Sequence, residues 1–206
     1  MRDMHAMTMT EARAGASSEA ARRAMIDSQL RPSGINEPWV LAAMARVPRE
    51  DFVPEAMRSA AYIDRAIPLG NGRSLAAPEV HGMMLSEAGP TAQDKALLIG
   101  DGNGYLAALL RPLVGTLDTV DPSQVNETTG SGGYSLILID GAIEELPQAV
   151  AALVAPDGRI VTGLVERGVT RLATGRKAAG EIALLPLAEI GIPILPEFAA
   201  PKRWSF

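Results

Sequence analysis

Apolar positions along the chain change their period part-way. In the first part they recur at helical spacing: "EAARRAMIDSQL" places Ala21, Met25 and Leu30 on one face, with Ser17 and Ser18 as N-caps and Pro32 and Gly34 as the stop. A second helix is predicted over "WVLAAMARV", with Asn36 as N-cap, Pro38 near the first helical position and Pro48 as terminator. "REDFVPEAMRSAAY" reads as a weaker third segment, and "DRAIPLGNGRSLAAPE" as irregular chain turning at Asn71 and Gly72. Pro78 then opens "PEVHGMMLSEA", whose Val80, Met83, Met84 and Leu85 offer a buried face.

From Lys95 onward the pattern is one of short apolar runs separated by turns. "KALLIG", "TLDTVD", "YSLILID" and "GRIVTGLV" read as strands, the third apolar enough to be covered on both faces. "YLAALLRPLVG" and "ELPQAVAALV" lie between them as helices, and "GVTRLATGRK" with "EIALLPLAEI" forms a closing hairpin around "AAG". This alternation predicts an α/β fold with a mostly parallel sheet, a C-terminal antiparallel hairpin and an N-terminal helical extension. The expected organisation is a disordered tail over 1–18 and a single domain over 19–206. Within it, 19–94 forms the helical extension and 95–206 the α/β core.

The glycine turn after the first core strand carries the candidate chemistry. In "LLIGDGNGY", Gly100, Gly102 and Gly104 stand between a buried strand and a helix, where bare backbone permits a sharp turn and close approach of a ligand. The spacing G-x-G-x-G departs from the G-x-G-x-x-G dinucleotide fingerprint, and no G-K-[ST] follows as in a nucleotide triphosphatase. Asp121 ends the next strand, where a carboxylate accepts both hydroxyls of a ribose. Loop and acid together favour an adenosyl ligand over the alternative, a plain glycine turn beside a solvated strand-end acid.

Composition narrows the partners. The 206 residues carry a net charge of -5, which offers no basic excess for displacing counterions from nucleic acid. There is no Cys and there are only two His, His5 and His81, so a thiolate nucleophile is excluded and a metal site is not expected. No apolar run approaches a membrane span and the N-terminus lacks a signal-peptide core, so a cytoplasmic protein is expected.

"MIDSQLRPSGI", "VLAAMARVPREDFVP", "AAYIDRAIPLG" and "LLIGDGNGYLAALL" together resemble the protein-L-isoaspartate O-methyltransferase family, in its alphaproteobacterial-like branch. "VPREDFVP" and "AYIDRAIPLG" are specific to that family, whereas the glycine loop is shared with many methyltransferases. The resemblance implies a Rossmann-like S-adenosylmethionine-dependent methyltransferase fold. It also implies methyl transfer to the α-carboxylate of isoaspartyl residues in damaged peptides and proteins. Gly100, Asp101, Gly102, Asn103, Gly104 and Tyr105 would then border the cofactor, Asp121 would hold its ribose, and Asp140, Gly141 and Ala142 would line cofactor and substrate. The family's substrate loop, roughly G-x-T-I-S-Q-P, corresponds to Gly72 through Pro78, so Leu75, Ala76, Pro78 and, on the helix beyond, His81 are substrate-side candidates.

The chain departs from the family pattern in three places. Ala76 stands where the family has its active-site Ser, leaving Ser74 as the remaining hydroxyl of the loop. Leu98 stands where an acid usually helps to bind the methionine ammonium, with Asp101 as its substitute. The bridge "DPSQVNETTGSGG" replaces a helix, a strand and an adenine-binding turn, so one strand-helix unit is missing. Two readings of different class follow: a carboxyl methyltransferase with a weakened site, or a non-catalytic methyltransferase-like binding or scaffold protein. Loss of the unit would also bare the outer edge of "TLDTVD", which predicts a homodimer through edge pairing or apolar contact. Trp204 and Phe206 are costly to expose and are expected to dock on the domain or to serve that contact.

Overall fold

The computed structural model describes residues 15, 17–127 and 132–200. The tail reading of 1–18 therefore falls largely outside the described residues, as does the docking of Trp204 and Phe206. The chain divides into two compact units, Met1–Gly82 and Met83–Phe206.

In the first unit, helix α1 covers residues 17–25 and widens into a π-helical turn over Ile26–Leu30. Ser17 and Ser18 lie inside α1 rather than capping it. The Ser28 hydroxyl donates back to the Ala24 carbonyl at 2.6 Å, a local bond that competes with regular helix geometry just where the turn widens. Helix α2, Pro38–Arg46, starts on Pro38 as expected, but Glu37 and not Asn36 occupies its N-cap position, with no side-chain cap bond. Its Val40, Leu41 and Met44 are buried at helical spacing. "REDFVPEAMRSAAY" resolves into two 3-10 turns, Arg49–Phe52 and Glu55–Ala60, separated by Pro54.

The stretch expected to be irregular contains a small hairpin, β1 (Ile67–Gly70) and β2 (Arg73–Leu75), paired antiparallel. Asn71 and Gly72 form its two-residue turn with φ of 51° and 75°, the left-handed pair that hairpin twist demands. The turn was legible; the strands, at four and three residues and interrupted by Pro68, were too short to show a period. Helix α3, Pro78–Ala88, begins in the first unit and ends in the second. Within the first unit, a Cβ at Gly82 would sit 2.7 Å from Ile35 Cδ1, so glycine lets this part of α3 approach Ile35 closely.

The second unit is built on a six-stranded sheet in the order β4-β3-β5-β6-β7-β8. Its strands are β3 (Lys95–Ile99), β4 (Thr116–Val120), β5 (Tyr134–Ile143), β6 (Val154–Glu166), β7 (Val169–Ala178) and β8 (Glu181–Glu189). Helix α4, Tyr105–Leu110, connects β3 to β4, and α5, Gln148–Leu153, connects β5 to β6. Strands β4, β3, β5 and β6 run parallel, and β7 and β8 add the antiparallel hairpin, closed at Ala179 and Gly180 with φ of 52° and 88°. Leu97 and Ile99 of β3 join Ile137, Ile139 and Ile143 of β5 and Val150 and Leu153 of α5 in one apolar core, as parallel strands covered on both faces require.

Two features fix how the parallel strands meet. At the ends where they begin, Asp94 accepts Arg159 Nη2 at 2.8 Å, Ser135 Oγ at 2.7 Å and the Thr91 amide at 2.8 Å. Arg159 also donates to the Gly89 carbonyl at 2.9 Å, at the end of α3. Burial raises the Asp94 pKa, but the bonds from Arg159, Ser135 and Thr91 and the charge of Arg159 outweigh it and hold the carboxyl well below the usual range. The second feature is the bridge after Asp121. It contains a 3-10 turn over Pro122–Glu127, and Val125 of that turn is buried in the core with Leu97, Ile137 and Val150. The bridge is thus the crossover from β4 to β5, near the dozen residues that a parallel connection needs.

Candidate functional site

The cofactor-side candidates all belong to the second unit. The parallel sheet reverses its winding beside β3: the chain leaves β3 for β4 on one side and later returns as β5 on the other. Open α/β sheets bind ligands at such a switch point, beyond the carboxyl ends of the strands. Here Gly100 follows β3, Asp121 follows β4, and Asp140 lies near the end of β5.

Close packing accounts for the glycines. A Cβ on Gly100 would lie 2.9 Å from Asp140 Cβ, so the turn presses directly against the end of β5. A Cβ on Gly102 would lie 2.5 Å from Thr119 Oγ1, so the same loop also rests on β4. At Gly104 the neighbour is Asp101 itself, at 3.1 Å. Asp101 accepts the Asn103 amide at 2.9 Å and shapes the turn from within. Both Asp101 and Asn103 are exposed, whereas Tyr105, the first residue of α4, is buried. Arg111, unnoticed in the sequence, braces the loop through a 3.1 Å bond to the Gly102 carbonyl. With Gly102, Asn103, Gly104 and Ala108 it lines a shallow cavity of about 200 Å³, smaller than the ~300–1,000 Å³ usual for small-molecule sites.

The other two strand ends differ in character. Asp121 is exposed, and its Oδ1 accepts the Ser123 amide at 2.9 Å and the Ser123 hydroxyl, so the acid also starts the Pro122–Glu127 turn. Asp140 sits in a bulge: pairing of β5 with β6 jumps from Leu138↔Val161 to Ala142↔Gly163. Bulges re-aim side chains in this way next to functional sites. Gly141 and Ala142 instead lie beneath the C-terminal segment. A Cβ on Gly141 would be 2.5 Å from Leu195 Cγ, and Ala142 exchanges main-chain bonds with Pro193 and Leu195 at 2.8 and 2.9 Å. Leu98, expected to replace an acid that binds the methionine ammonium, is fully buried in the sheet, paired with Leu138.

The substrate-side candidates belong to the first unit. Ser74 and Leu75 are the last residues of β2, Ala76 is buried between it and α3, and Pro78 is buried as the first residue of α3. His81 is fully buried, and its Nδ1 lies 3.3 Å from Arg49 Nη1. Arg49, also fully buried, donates to the carbonyls of Ala61, at 2.7 Å, and of Ala76. Tyr62 stands beside this group. Its hydroxyl accepts Arg22 Nε at 2.9 Å and the Arg49 amide at 3.2 Å and donates to Glu50. Burial and the Glu50 carboxylate push the phenol up to about 12, against the opposing pull of Arg22. Sequence reasoning missed this network because arginine is ordinarily a surface residue; its one signal was the family-specific "VPREDFVP".

The family model for protein-L-isoaspartate(D-aspartate) O-methyltransferase matches residues 20–122. A protein-L-isoaspartate O-methyltransferase of Methanoregula boonei is 34% identical over 165 residues, 68% of this chain and 76% of the relative. One from Rhodopseudomonas palustris is 32% identical over 167 residues, 69% and 68% of the two chains. The chain belongs to the protein-L-isoaspartate O-methyltransferase family. The family match ends at Pro122, where the shortened crossover begins. A Plasmodium falciparum protein-L-isoaspartate O-methyltransferase, crystallised with S-adenosyl-L-homocysteine, superposes with a TM-score of 0.70 over 87% of this chain and 98% of that one. At 17% identity that likeness establishes the methyltransferase fold alone.

Among the described residues no helix is long and apolar enough to cross a membrane, and no cluster of three or more acidic or histidine side chains is arranged to hold a metal.

Proposed function

We propose that this member of the family is an S-adenosylmethionine-dependent O-methyltransferase acting on isoaspartyl residues of damaged proteins, with a loosened hold on its cofactor. The observation that carries the reading is the convergence of Gly100 and Asp140 at the switch point, with exposed Asp121 ending the neighbouring strand. The donor set fits part of the cofactor. Asp121 suits a ribose diol, and the Gly100–Gly104 turn with Asp140 suits the methionyl portion. The adenine side is thinner, since β4 is the edge of the sheet and pairs with β3 alone among the described residues.

When bound, S-adenosylmethionine supplies a methyl group on a sulfonium, which passes to a substrate carboxylate oxygen to leave a methyl ester and S-adenosylhomocysteine. The acceptor needs no deprotonation, because a carboxyl of pKa ~4 is already ionised at neutral pH. The work left to the chain is alignment and exclusion of water. Asp121 would anchor the ribose and the glycine turn would shape the floor under the cofactor; by family resemblance the substrate-side positions are Leu75, Ala76 and Pro78, with Ser74 as the remaining hydroxyl. We place residues 19–206 in one methyltransferase-like domain, active in the cytoplasm, with no nucleic-acid partner. Homodimerisation through the edge of β4 completes the proposal.

Two measurements test it. Calorimetry is expected to give S-adenosylmethionine a dissociation constant above about 10 μM, with binding lost in Asp121→Ala; low-micromolar affinity would overturn the loosened pocket. Methyl transfer to an isoaspartyl peptide is expected to be slow and sensitive to Asp121→Ala. It is expected to rise about tenfold or more in Ala76→Ser, since one bond to a charged group is worth ~1.5–3 kcal/mol. Leu98 and Ala76 favour a second reading, a non-catalytic binding protein, and absence of Asp121-dependent turnover in both chains would establish it over the first.

A further inference from the structure

"VPREDFVP" has no task in the reading above, yet its Arg49 is fully buried in the first unit. Burying a guanidinium is costly unless its donors are met, and here they are spent on separate segments of the chain. Nε meets the Ala61 carbonyl at 2.7 Å, before the β1-β2 hairpin. Nη2 meets the Ala76 carbonyl, in the substrate loop. Nη1 lies 3.3 Å from His81 Nδ1, on α3. A guanidinium has donors only, so in this contact the ring nitrogen is on the accepting side. The main chain of Arg49 is itself held, its amide donating to Tyr62 Oη at 3.2 Å.

From this geometry we infer that Arg49 is the positioning residue of the substrate loop, fixing the main chain at Ala76 and the ring of His81 with one planar fork. The inference rests on the assignment of Gly72–Pro78 as the loop that meets the isoaspartyl peptide. It explains how the loop keeps its shape although the family's Ser is Ala76: the grip falls on the carbonyl of that residue, which the substitution leaves in place. It also assigns His81 an inner role, since the imidazole faces Arg49 and is fully buried. Lysine cannot reproduce the grip, because an ammonium on a flexible stem lacks the fixed fork that spans acceptors on different segments.

The test uses the full chain and Arg49→Lys. Hydrogen exchange is expected to be at least about tenfold faster at the amides of Leu75–Ala77, with protection in β3 and α4 unchanged. The KM for an isoaspartyl peptide is expected to rise about tenfold, while S-adenosylmethionine affinity stays within about twofold. A folded Arg49→Lys with unchanged exchange at Leu75–Ala77, or with exchange raised evenly across the chain, would overturn the assignment. Should Arg49→Lys fail to fold, His81→Phe, which removes both ring nitrogens and with them the Nδ1 acceptor of Arg49, takes its place: faster exchange confined to Leu75–Ala77 supports the assignment, and unchanged or evenly raised exchange overturns it. A wild-type chain that turns over no isoaspartyl peptide sinks the proposed activity, and the exchange data still decide the role of Arg49.

Discussion

Asp94 shows how one side chain sets the pH limits of the fold. Its carboxylate is nearly buried and is bonded by Arg159, Ser135 and Thr91, which keeps its folded pKa below the ordinary value. A group depressed in this way contributes stability that is fully present above its unfolded pKa of ~4 and is lost as pH falls below that value. Asp94→Asn is expected to lower stability at neutral pH by about 3 kcal/mol, since it leaves Arg159 half-buried beside an uncharged partner. The gap between variant and wild type should narrow steadily in urea titrations below pH 4; a constant gap down to pH 2 would contradict the assignment. Arg49 and Asp94 share one lesson about legibility. Charged side chains in the sequence read as solvent-facing by default, and only the structure shows which of them are buried and held by partners.

Among the elements, the parallel strands were the most legible, because "KALLIG" and "YSLILID" are buried on both faces and so carry no polar alternation. Their ends were less so. β5 runs on through Asp140 to Ile143 and β6 starts early at Val154, through Pro156 and Asp157, and in both stretches the pairing between the two strands is irregular, jumping from Leu138 to Ala142 and from Tyr134 to Leu136. The crossover Pro122–Glu127 looked purely polar apart from Val125, and that valine turns out to be its anchor. Tyr134 secures the far end: its hydroxyl donates to Asp118 at 2.9 Å, and the Lys95 ammonium lies 4.4 Å from its ring. Burial and the Asp118 carboxylate push that phenol up to about 12. Val125→Ala is expected to cost about 2 kcal/mol in denaturant titrations and to weaken S-adenosylmethionine binding, because Asp121 opens the same turn. A loss of stability without loss of affinity would separate the crossover from the site.

At the scale of the whole molecule, the six-stranded sheet of the described residues ends in two edges, β4 and β8, and β8 leaves Leu185 and Leu187 exposed. Unpaired edges invite association. Sedimentation is expected to show a concentration-dependent monomer-dimer equilibrium, abolished by Leu117→Lys on β4. A monomer at all concentrations would defeat the dimer, and a dimer that survives the substitution would move the interface off β4. Family membership was legible from contiguous motifs up to Asp121, and the family match stops at the following residue, where the crossover from β4 to β5 begins.

The position of β4 carries one more consequence. A strand flanked on one side only, as β4 is among the described residues, is the part of a parallel sheet that opens at least cost, and here it leads into the acid assigned to the ribose. On the proposed assignment of Asp121 to the ribose, part of the free energy of cofactor binding would be consumed in holding β4 closed, so affinity and local order would form a single linked equilibrium.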